Sequence, residues 1–502
     1  MTIRHLRDYQ TTAIQNLRLS LGSGKKRPVL QLPTGAGKTR VAGEIVRMAR
    51  AKGTRVMFVV PAISLIDQTV ESFAADGITG VGVIQADHWM TDPQAPVQVC
   101  SMQTLERRDL PLGIGLVIVD ECHRQSKFLR RWMSDWKSVP FIGLSATPWA
   151  LGMSADWDEL IVASTTERMI ADGWLSPFVV YAPMRPDLSG VKIIAGDYHE
   201  GQLGDAMDKP PLIADIVESW RRLGEGQPTL LFAVNRAHAD HCRNEFENAG
   251  IRSAYIDAFT DPEERRIIGA QLERGDVKVV CNVGCLTTGV DWDVRCIVLA
   301  RPTRSEMLFV QMVGRGLRLA EGKTKCILID HSDTHHRLGF VTDIHHDRLK
   351  GGEKPEAQPQ RKPEALPKEC PNCKRLRPPK ITTCPGCGFV AKRTADVEHI
   401  DGDLELFKRK EKKQKATKDD KQAFYSMLYS HARERGYKPG WISHKYKDKF
   451  GVWPQGMIDT PSQFYTPEFM SWVRSQQIRA AKSKEKRHRS EALAELAALV
   501  QS

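Results

Sequence analysis

A chain of 502 residues exceeds what a single hydrophobic core usually supports, so several domains are expected from length alone. With 41% apolar and 27% charged residues, no run of about 18 apolar residues and no signal-peptide core in Met1 to Arg7, membrane-spanning and secreted classes are excluded and a cytoplasmic protein is expected. The net charge is +12, yet basic and acidic residues balance at 40 each through Thr342, so the whole excess lies in the last third and points to a polyanionic partner held by phosphate contacts.

The first ~340 residues alternate short apolar, β-branched runs with amphipathic stretches: Val56 to Val60, Leu116 to Val119 and Phe141 to Leu144, then Thr229 to Phe232, Val277 to Val280 and Ile297 to Leu299. Buried parallel strands with crossover helices read this way. The pattern has two halves, 1–165 and 166–342, with a polar, poorly periodic stretch around Asp187 to Pro211 inside the second, so two open α/β lobes are expected.

Within the first half, Leu32-Pro-Thr-Gly-Ala-Gly-Lys-Thr39 follows the strand-like Val29 to Leu32 and precedes a helical pattern, the setting a phosphate-binding loop requires. The backbone N–H groups of Thr34, Gly35, Ala36 and Gly37 would cradle phosphates, Lys38 would neutralise them and the Thr39 hydroxyl would ligate Mg²⁺. The general Gly-x4-Gly-Lys-Ser/Thr spacing is broken, because its first glycine falls at Leu32. Leu116 to His123 then ends an apolar strand with two carboxylates, where a parallel sheet presents its ligand edge. Asp120 is expected to hold the Mg²⁺ shell, Glu121 to orient and deprotonate an attacking water, and His123 to link to Ser145-Ala-Thr147.

Past Thr342 the composition changes. A linker is expected over 343–367, since Gly351 to Pro367 is rich in Pro, Glu, Gln and Lys. Cys370-Pro-Asn-Cys373 and Cys384-Pro-Gly-Cys387 form two knuckles in 368–392 that suit one structural Zn²⁺; a redox dithiol is the competitor. The other seven cysteines read as reduced thiols in apolar segments. Lys374, Arg375, Arg377 and Lys380 leave open whether the ribbon is purely structural or touches DNA. A second metal among His331, His335, His336, His345, His346 and the nearby aspartates is the weaker reading of those residues. A basic linker over 393–420, with the run Lys408 to Lys415, leads to a small helical domain over 421–502. Its interleaved basic and aromatic residues suit single strands or fork junctions, or are simply its core.

The ordered string Leu6-Arg-Asp-Tyr-Gln10, Pro33 to Thr39, Asp120-Glu-Cys-His123, Ser145-Ala-Thr-Pro148, Thr287-Thr-Gly-Val-Asp291 and Gln311-Met-Val-Gly-Arg-Gly-Leu-Arg318 resembles the superfamily 2 DEAD/DEAH-type helicases over about two-thirds of the chain. Within them, Leu286 to Asp291, Arg301-Pro-Thr and Val313 to Thr324 are most similar to the RadD-type DNA-repair helicases. The resemblance implies two tandem RecA-like parallel-sheet domains, followed by the zinc ribbon and the small helical domain. It implies that Gln10 reads adenine, that Arg315 and Arg318, one helical turn apart, reach the γ-phosphate as arginine fingers, and that Gly289 and Asp291 sit at the same cleft. Ser145, Thr147 and Gln311, with His123, would couple hydrolysis to lobe movement. Strand contacts would come from Pro61 to Ser64, from Ser101 to Thr104 with Gln103 and Thr104, from Asn235-Arg236 and from Thr287. Two departures are Ala62 for the family's usual Thr and Cys122 for Ala. The resemblance further implies ATP and Mg²⁺ as cofactors beside Zn²⁺. Single-stranded, forked or branched DNA is the expected partner, with single-strand-binding or repair proteins beside it and a monomer as a plausible state. An RNA helicase or the motor subunit of a restriction-type complex are the alternatives. A non-catalytic scaffold is opposed by intact Lys38, Glu121, Arg315 and Arg318.

Overall fold

A computed structural model describes residues 5–85, 88–287, 291–351, 366–379, 381–390, 417–462, 464–466, 468–473 and 475. It divides into two compact units, residues 1–396 and 397–502.

In the first unit, a seven-stranded sheet is built from β1 (Pro28–Gln31), β2 (Arg55–Val60), β3 (Val81–Ile84), β4 (Val97–Ser101), β5 (Ile114–Asp120), β6 (Phe141–Ser145) and β7 (Glu159–Val162), ordered β3-β4-β2-β5-β6-β1-β7. All its pairings are parallel. Val29, Val56, Phe58, Val117, Ile118 and Leu144 are buried, as strands covered on both faces by crossover helices must be. Because β6 lies between β5 and β1, the Asp120 strand end, Ser145 and the loop after Gln31 are neighbours along one edge.

The second sheet begins with β8 (Phe178–Tyr181), follows a short hairpin of β9 (Ile193–Ile194) and β10 (Asp197–Tyr198), and is completed by β11 (Thr229–Phe232), β12 (Ser253–Ile256), β13 (Val279–Asn282), β14 (Cys296–Leu299) and β15 (Cys326–Asp330). Its parallel order is β12-β13-β11-β14-β15-β8. The run read at Val277 to Val280 pairs from Val279 instead, because the amides of Asp276 and Val277 still cap the helix Pro262–Arg274 on the Gln271 carbonyl. The stretch around Asp187 to Pro211 is not structureless. It holds the hairpin and the helix Glu200–Met207, whose Leu203 and Met207 bury against Val234 with Leu188, Val191 and Tyr198 packed on them. Asp197 fixes the hairpin by accepting from the Thr303 hydroxyl at 2.7 Å and the Arg304 amide at 2.7 Å.

Two segments expected to be independent of the lobes are tied to them. From the expected linker 343–367, residues 343–351 fold back on the first lobe: the Ser154 and Gly152 amides donate to the Lys350 and Gly351 carbonyls, and Leu349 packs on the core around Trp132. His346 packs its ring 4.8 Å from that of Trp149 and bonds Glu306 of the second lobe at 2.8 Å. Residues 352–365 lie outside the described residues. The cysteine module holds β16 (Lys368–Glu369) and β17 (Leu376–Arg377), paired antiparallel. It continues the second sheet past β8 through an antiparallel bridge from Arg375 to Tyr181 and a 3.1 Å bond from the Ala182 amide to the Lys374 carbonyl. Leu376 is buried in the core shared with the lobes, so this module covers an otherwise open strand edge. Lys380 lies outside the described residues.

In the second unit, the helices Lys418–Glu434 and Pro439–Phe450 pack together, the first opened by a reciprocal Thr417–Asp420 cap. Phe424, Leu428, Ile442, Tyr446 and Phe469 form its core, which answers the sequence question for those aromatics, whereas Trp453 and Phe464 remain exposed. The stretches 391–416, with the basic run, and 476–502 lie outside the described residues. Among the described residues no helix is long and apolar enough to cross a membrane.

Candidate functional site

The loop after β1 turns through Gly35 and Gly37, both at positive φ, and ends in the helix Lys38–Arg50. Its N-terminal amides face a cleft of about 460 Å³ lined by Thr34, Gly35, Gly37, Lys38, Thr39, Asp120, Glu121, Asp291, Arg315 and Arg318. A helix N-terminus that no side chain caps, with Lys38, Arg315 and Arg318 around it, favours an anion here beside the carboxylates of Asp120, Glu121 and Asp291. Arg7 and Trp174 also line the cleft, the guanidinium lying 4.4 Å from the indole centroid. Trp174 stands between the lobes without a motif around it, which is why sequence reading passed it over.

The two carboxylates differ. Burial, then the charge of Glu121, pushes Asp120 up to about 7. Burial works against the charge of Glu121 as well, but Lys38, at 3.3 Å, outweighs it and holds that carboxyl below its usual range. Glu121 therefore stays ionised, and its backbone sits at φ 48°, a left-handed conformation that turns the side chain off the strand line.

From Glu121 a chain of polar contacts crosses between the lobes. His123 Nδ1 lies 3.3 Å from Glu121 Oε2 and 2.8 Å from Ser145 Oγ. Ser145 Oγ accepts from the Thr147 amide at 3.0 Å. From the second lobe, Gln311 Nε2 donates to Thr147 Oγ1 at 3.1 Å and faces His123 Nε2 at 3.4 Å. Since the Gln311 amide nitrogen can only donate, His123 Nε2 is the acceptor and Nδ1 carries the ring proton. Burial lowers the His123 pKa, in keeping with a neutral ring.

Arg315 and Arg318 do not share a helix face as expected, because the helix Glu306–Gly314 ends at Gly314 and a turn carries both residues into the cleft. Arg315 is 7% exposed and lowered to about 9 by burial and then by Arg318. Its guanidinium donates to the Thr287 carbonyl at 3.1 and 2.5 Å. Arg318 bonds Asp291 at 2.7 Å. Gly289 lies outside the described residues.

Other expected residues fall in varied places. Gln10 is buried and braces the phosphate loop, donating to the Ala36 carbonyl at 2.9 Å and accepting from the Arg7 amide at 3.0 Å. Ser64 and Gln103 are exposed past β2 and β4, while Ser101 caps the turn through the Thr104 amide. Arg236 is exposed past β11 and pairs with Asp257 at 2.7 Å. Thr287 is buried, its hydroxyl donating to the Gly284 carbonyl at 2.7 Å.

Cys370, Cys373, Cys384 and Cys387 bring their sulfurs within 4.8 Å of one another, with 3.7 Å between Cys370 and Cys387 and 3.6 Å between Cys373 and Cys384. A tetrahedron with bonds of 2.3 Å has edges of about 3.8 Å, so these donors fit a metal of zinc's size. Among the described residues no other group of this kind occurs. The histidines near the end of β15 are instead buried into the fold, His335 donating to Asp330 from its amide and ring at 2.8 Å each.

The family model described as "Type III restriction enzyme, res subunit" matches residues 3–150, and "Helicase conserved C-terminal domain" matches residues 208–320. A 51.5 kDa protein of a Lactococcus phage is 30% identical over 407 residues, 78% of this chain and 85% of its own. The chain belongs to the superfamily 2 helicases. A Saccharomyces cerevisiae protein named as an ATP-dependent helicase, IRC3, is 30% identical over 353 residues, covering 65% of this helicase and only 51% of the yeast protein. The fold is also similar to a fragment of an HsdR-type subunit of a type I restriction enzyme from Vibrio vulnificus, with TM-score 0.54 and 23% identity over 70% of each chain. Membership makes this helicase an ATP-using, nucleic-acid-dependent enzyme.

Proposed function

We propose that this helicase couples ATP hydrolysis to movement along DNA, or to DNA remodelling, in repair, recombination or replication. The observation that carries the coupling is the contact chain from Glu121 through His123, Ser145 and Thr147 to Gln311, which joins the hydrolytic carboxylate of one lobe to a helix of the other. Lys38, the amides of Thr34, Gly35 and Gly37 and the first turn of the helix Lys38–Arg50 hold the phosphates, whereas the Ala36 amide, expected to join them, is taken by the Pro33 carbonyl at 3.0 Å. Thr39 and Asp120 are the residues that would hold Mg²⁺, which screens phosphate charge when bound. Glu121 takes the proton of the attacking water, since it is the carboxylate kept ionised. Arg315 and Arg318 stabilise charge on the γ-phosphate, with Asp291 paired to Arg318 at the same cleft.

Because Arg315 also holds the Thr287 carbonyl, a change at the γ-phosphate is transmitted to the loop after β13. Loops after β2, β4 and β11 would carry the strand by its backbone, through Ser64, Gln103, Thr104 and Arg236. The four cysteines would hold a structural Zn²⁺. The basic tail supports a polyanionic partner of either kind, and the reading of DNA over RNA rests on the resemblance of the motifs Leu286 to Asp291 and Val313 to Thr324 to those of RadD-type motors. The model matched over residues 3–150 favours, as a second reading, the motor of a restriction-type complex. ATPase rates with single-stranded, duplex and forked DNA and with RNA, repeated for Lys38→Ala, test the proposal. Stimulation by DNA that Lys38→Ala abolishes is expected; stimulation by RNA alone overturns the DNA assignment.

A further inference from the structure

Three adjacent parallel strands of the second lobe, β12, β13 and β11, end on one edge, and the loops that follow them enclose a second cleft of about 430 Å³. Its lining includes Asn235, Arg236, Asp257, Phe259 and Val283, with Glu200 at one side, and none of these residues touches the nucleotide cleft. Phe259 is 81% exposed, an unusual state for a phenyl ring in a folded chain.

The loop that presents it is firmly built. Asp257, 4% exposed, accepts from the Phe259 amide at 2.9 Å and the Thr260 amide at 3.1 Å, while the Arg265 guanidinium donates to the carbonyls of Asp257, Ala258 and Thr260. The ring is thus held out rather than left loose. Beside it, Arg236 lies 5.2 Å from the ring centroid, anchored on Asp257 yet with its side chain 67% exposed. Arg236 also opens the helix Arg236–Asn248, whose first residues, Arg236 and Ala237, line the same cleft, the His238 amide being capped by Asn235 at 2.9 Å. Asp257 is buried and paired with Arg236, while the exposed Glu200 carboxylate, 4.0 Å from Arg301, is the other acidic group of the lining.

An aromatic face with a guanidinium and a helix N-terminus at its side suits one unit of a polynucleotide: a flat base and its phosphate. We propose that Phe259 is a stacking platform for one unpaired base of the bound strand, with Arg236 and the helix N-terminus taking the neighbouring phosphate. A base in a duplex keeps its faces covered by its neighbours, so the platform selects single-stranded segments. This deepens the proposed function and rests on it, because it concerns how the strand is held on the second lobe.

The test compares binding of the full-length protein to an oligothymidylate and to the same strand with consecutive abasic positions. The wild type is expected to bind the base-bearing strand about 5- to 100-fold more tightly. Phe259→Ala should lose that preference and bind both strands alike, Phe259→Trp should keep it, and neither substitution should move the melting temperature, given the exposure of the ring. Retention of the wild-type preference by Phe259→Ala overturns the platform while leaving strand-stimulated ATPase in place. Absence of any strand-stimulated ATPase in the wild type overturns the proposed function and the platform with it.

Discussion

Gly314 marks how closely the lobes meet: a Cβ built there would lie 2.7 Å from Thr34 Cβ of the phosphate loop, and one at Gly35 would lie 3.1 Å from Arg318 Cγ. Side-chain-free backbone is what lets the second lobe deliver Arg315 and Arg318 to the cleft. Gly314→Ala is expected to hold the lobes apart by a fraction of an ångström to an ångström, cutting kcat on the order of 100-fold while leaving the melting temperature nearly unchanged. A steady-state ATPase assay beside a thermal melt checks this. Two histidines outside the cleft set a pH dependence. Burial lowers His238 and His331 to about 4, so the folded chain keeps both neutral while the unfolded chain protonates them near 6.5. Their contribution to stability is whole above pH 6.5 and is lost as pH falls toward 4, at most about 2 kcal/mol each between pH 7 and 5. Denaturant midpoints should fall over that interval, and His331→Leu should flatten the fall; an unchanged slope would contradict the assignment.

At the scale of elements, the strands were legible wherever β-branched residues ran together, as in Arg55–Val60 and Ile114–Asp120, because parallel strands buried on both faces admit little else. The phosphate loop, the carboxylate pair and the cysteine knuckles were legible for a similar reason, since each chemistry demands close spacing in sequence. Elements stabilised by distant partners were not. The hairpin β9–β10 depends on Thr303 and Arg304, the folded-back segment 343–351 depends on Trp149 and Glu306, and no local pattern announces either. The end of the helix at Gly314 escaped notice because Arg315-Gly-Leu-Arg318 continues a helical spacing that the chain abandons to bring both arginines into the cleft.

The cysteine module is likewise more than an appendage, since it extends the second sheet at β8 and lends Leu376 to the shared core. Metal binding there should stabilise the lobe and not the module alone. Chelation, or Cys384→Ser, is expected to lower the melting temperature by more than about 4 °C and to reduce ATPase activity with it. A melt unchanged by a strong chelator in a chain shown to release one zinc would contradict this.

On the scale of the whole molecule, the two sheets are similar lobes whose ligand edges face a common cleft, and a buried apolar cluster runs from Leu30 and Ile142 in one to Leu230 and Ile297 in the other. The proposed coupling crosses between the lobes at Gln311, where two of the polar contacts meet. In the proposed function Glu121, Lys38 and the arginines supply the chemistry and this junction ties it to the strand, because without it an ATPase would run uncoupled. Its most direct test is the single-strand stimulation of ATPase in Gln311→Ala beside the wild type, with nucleotide affinity measured in parallel. Unchanged ATP affinity and a loss of stimulation of about 5- to 150-fold, the size of an ordinary coupling energy, are expected. Wild-type stimulation in Gln311→Ala would contradict coupling through this junction.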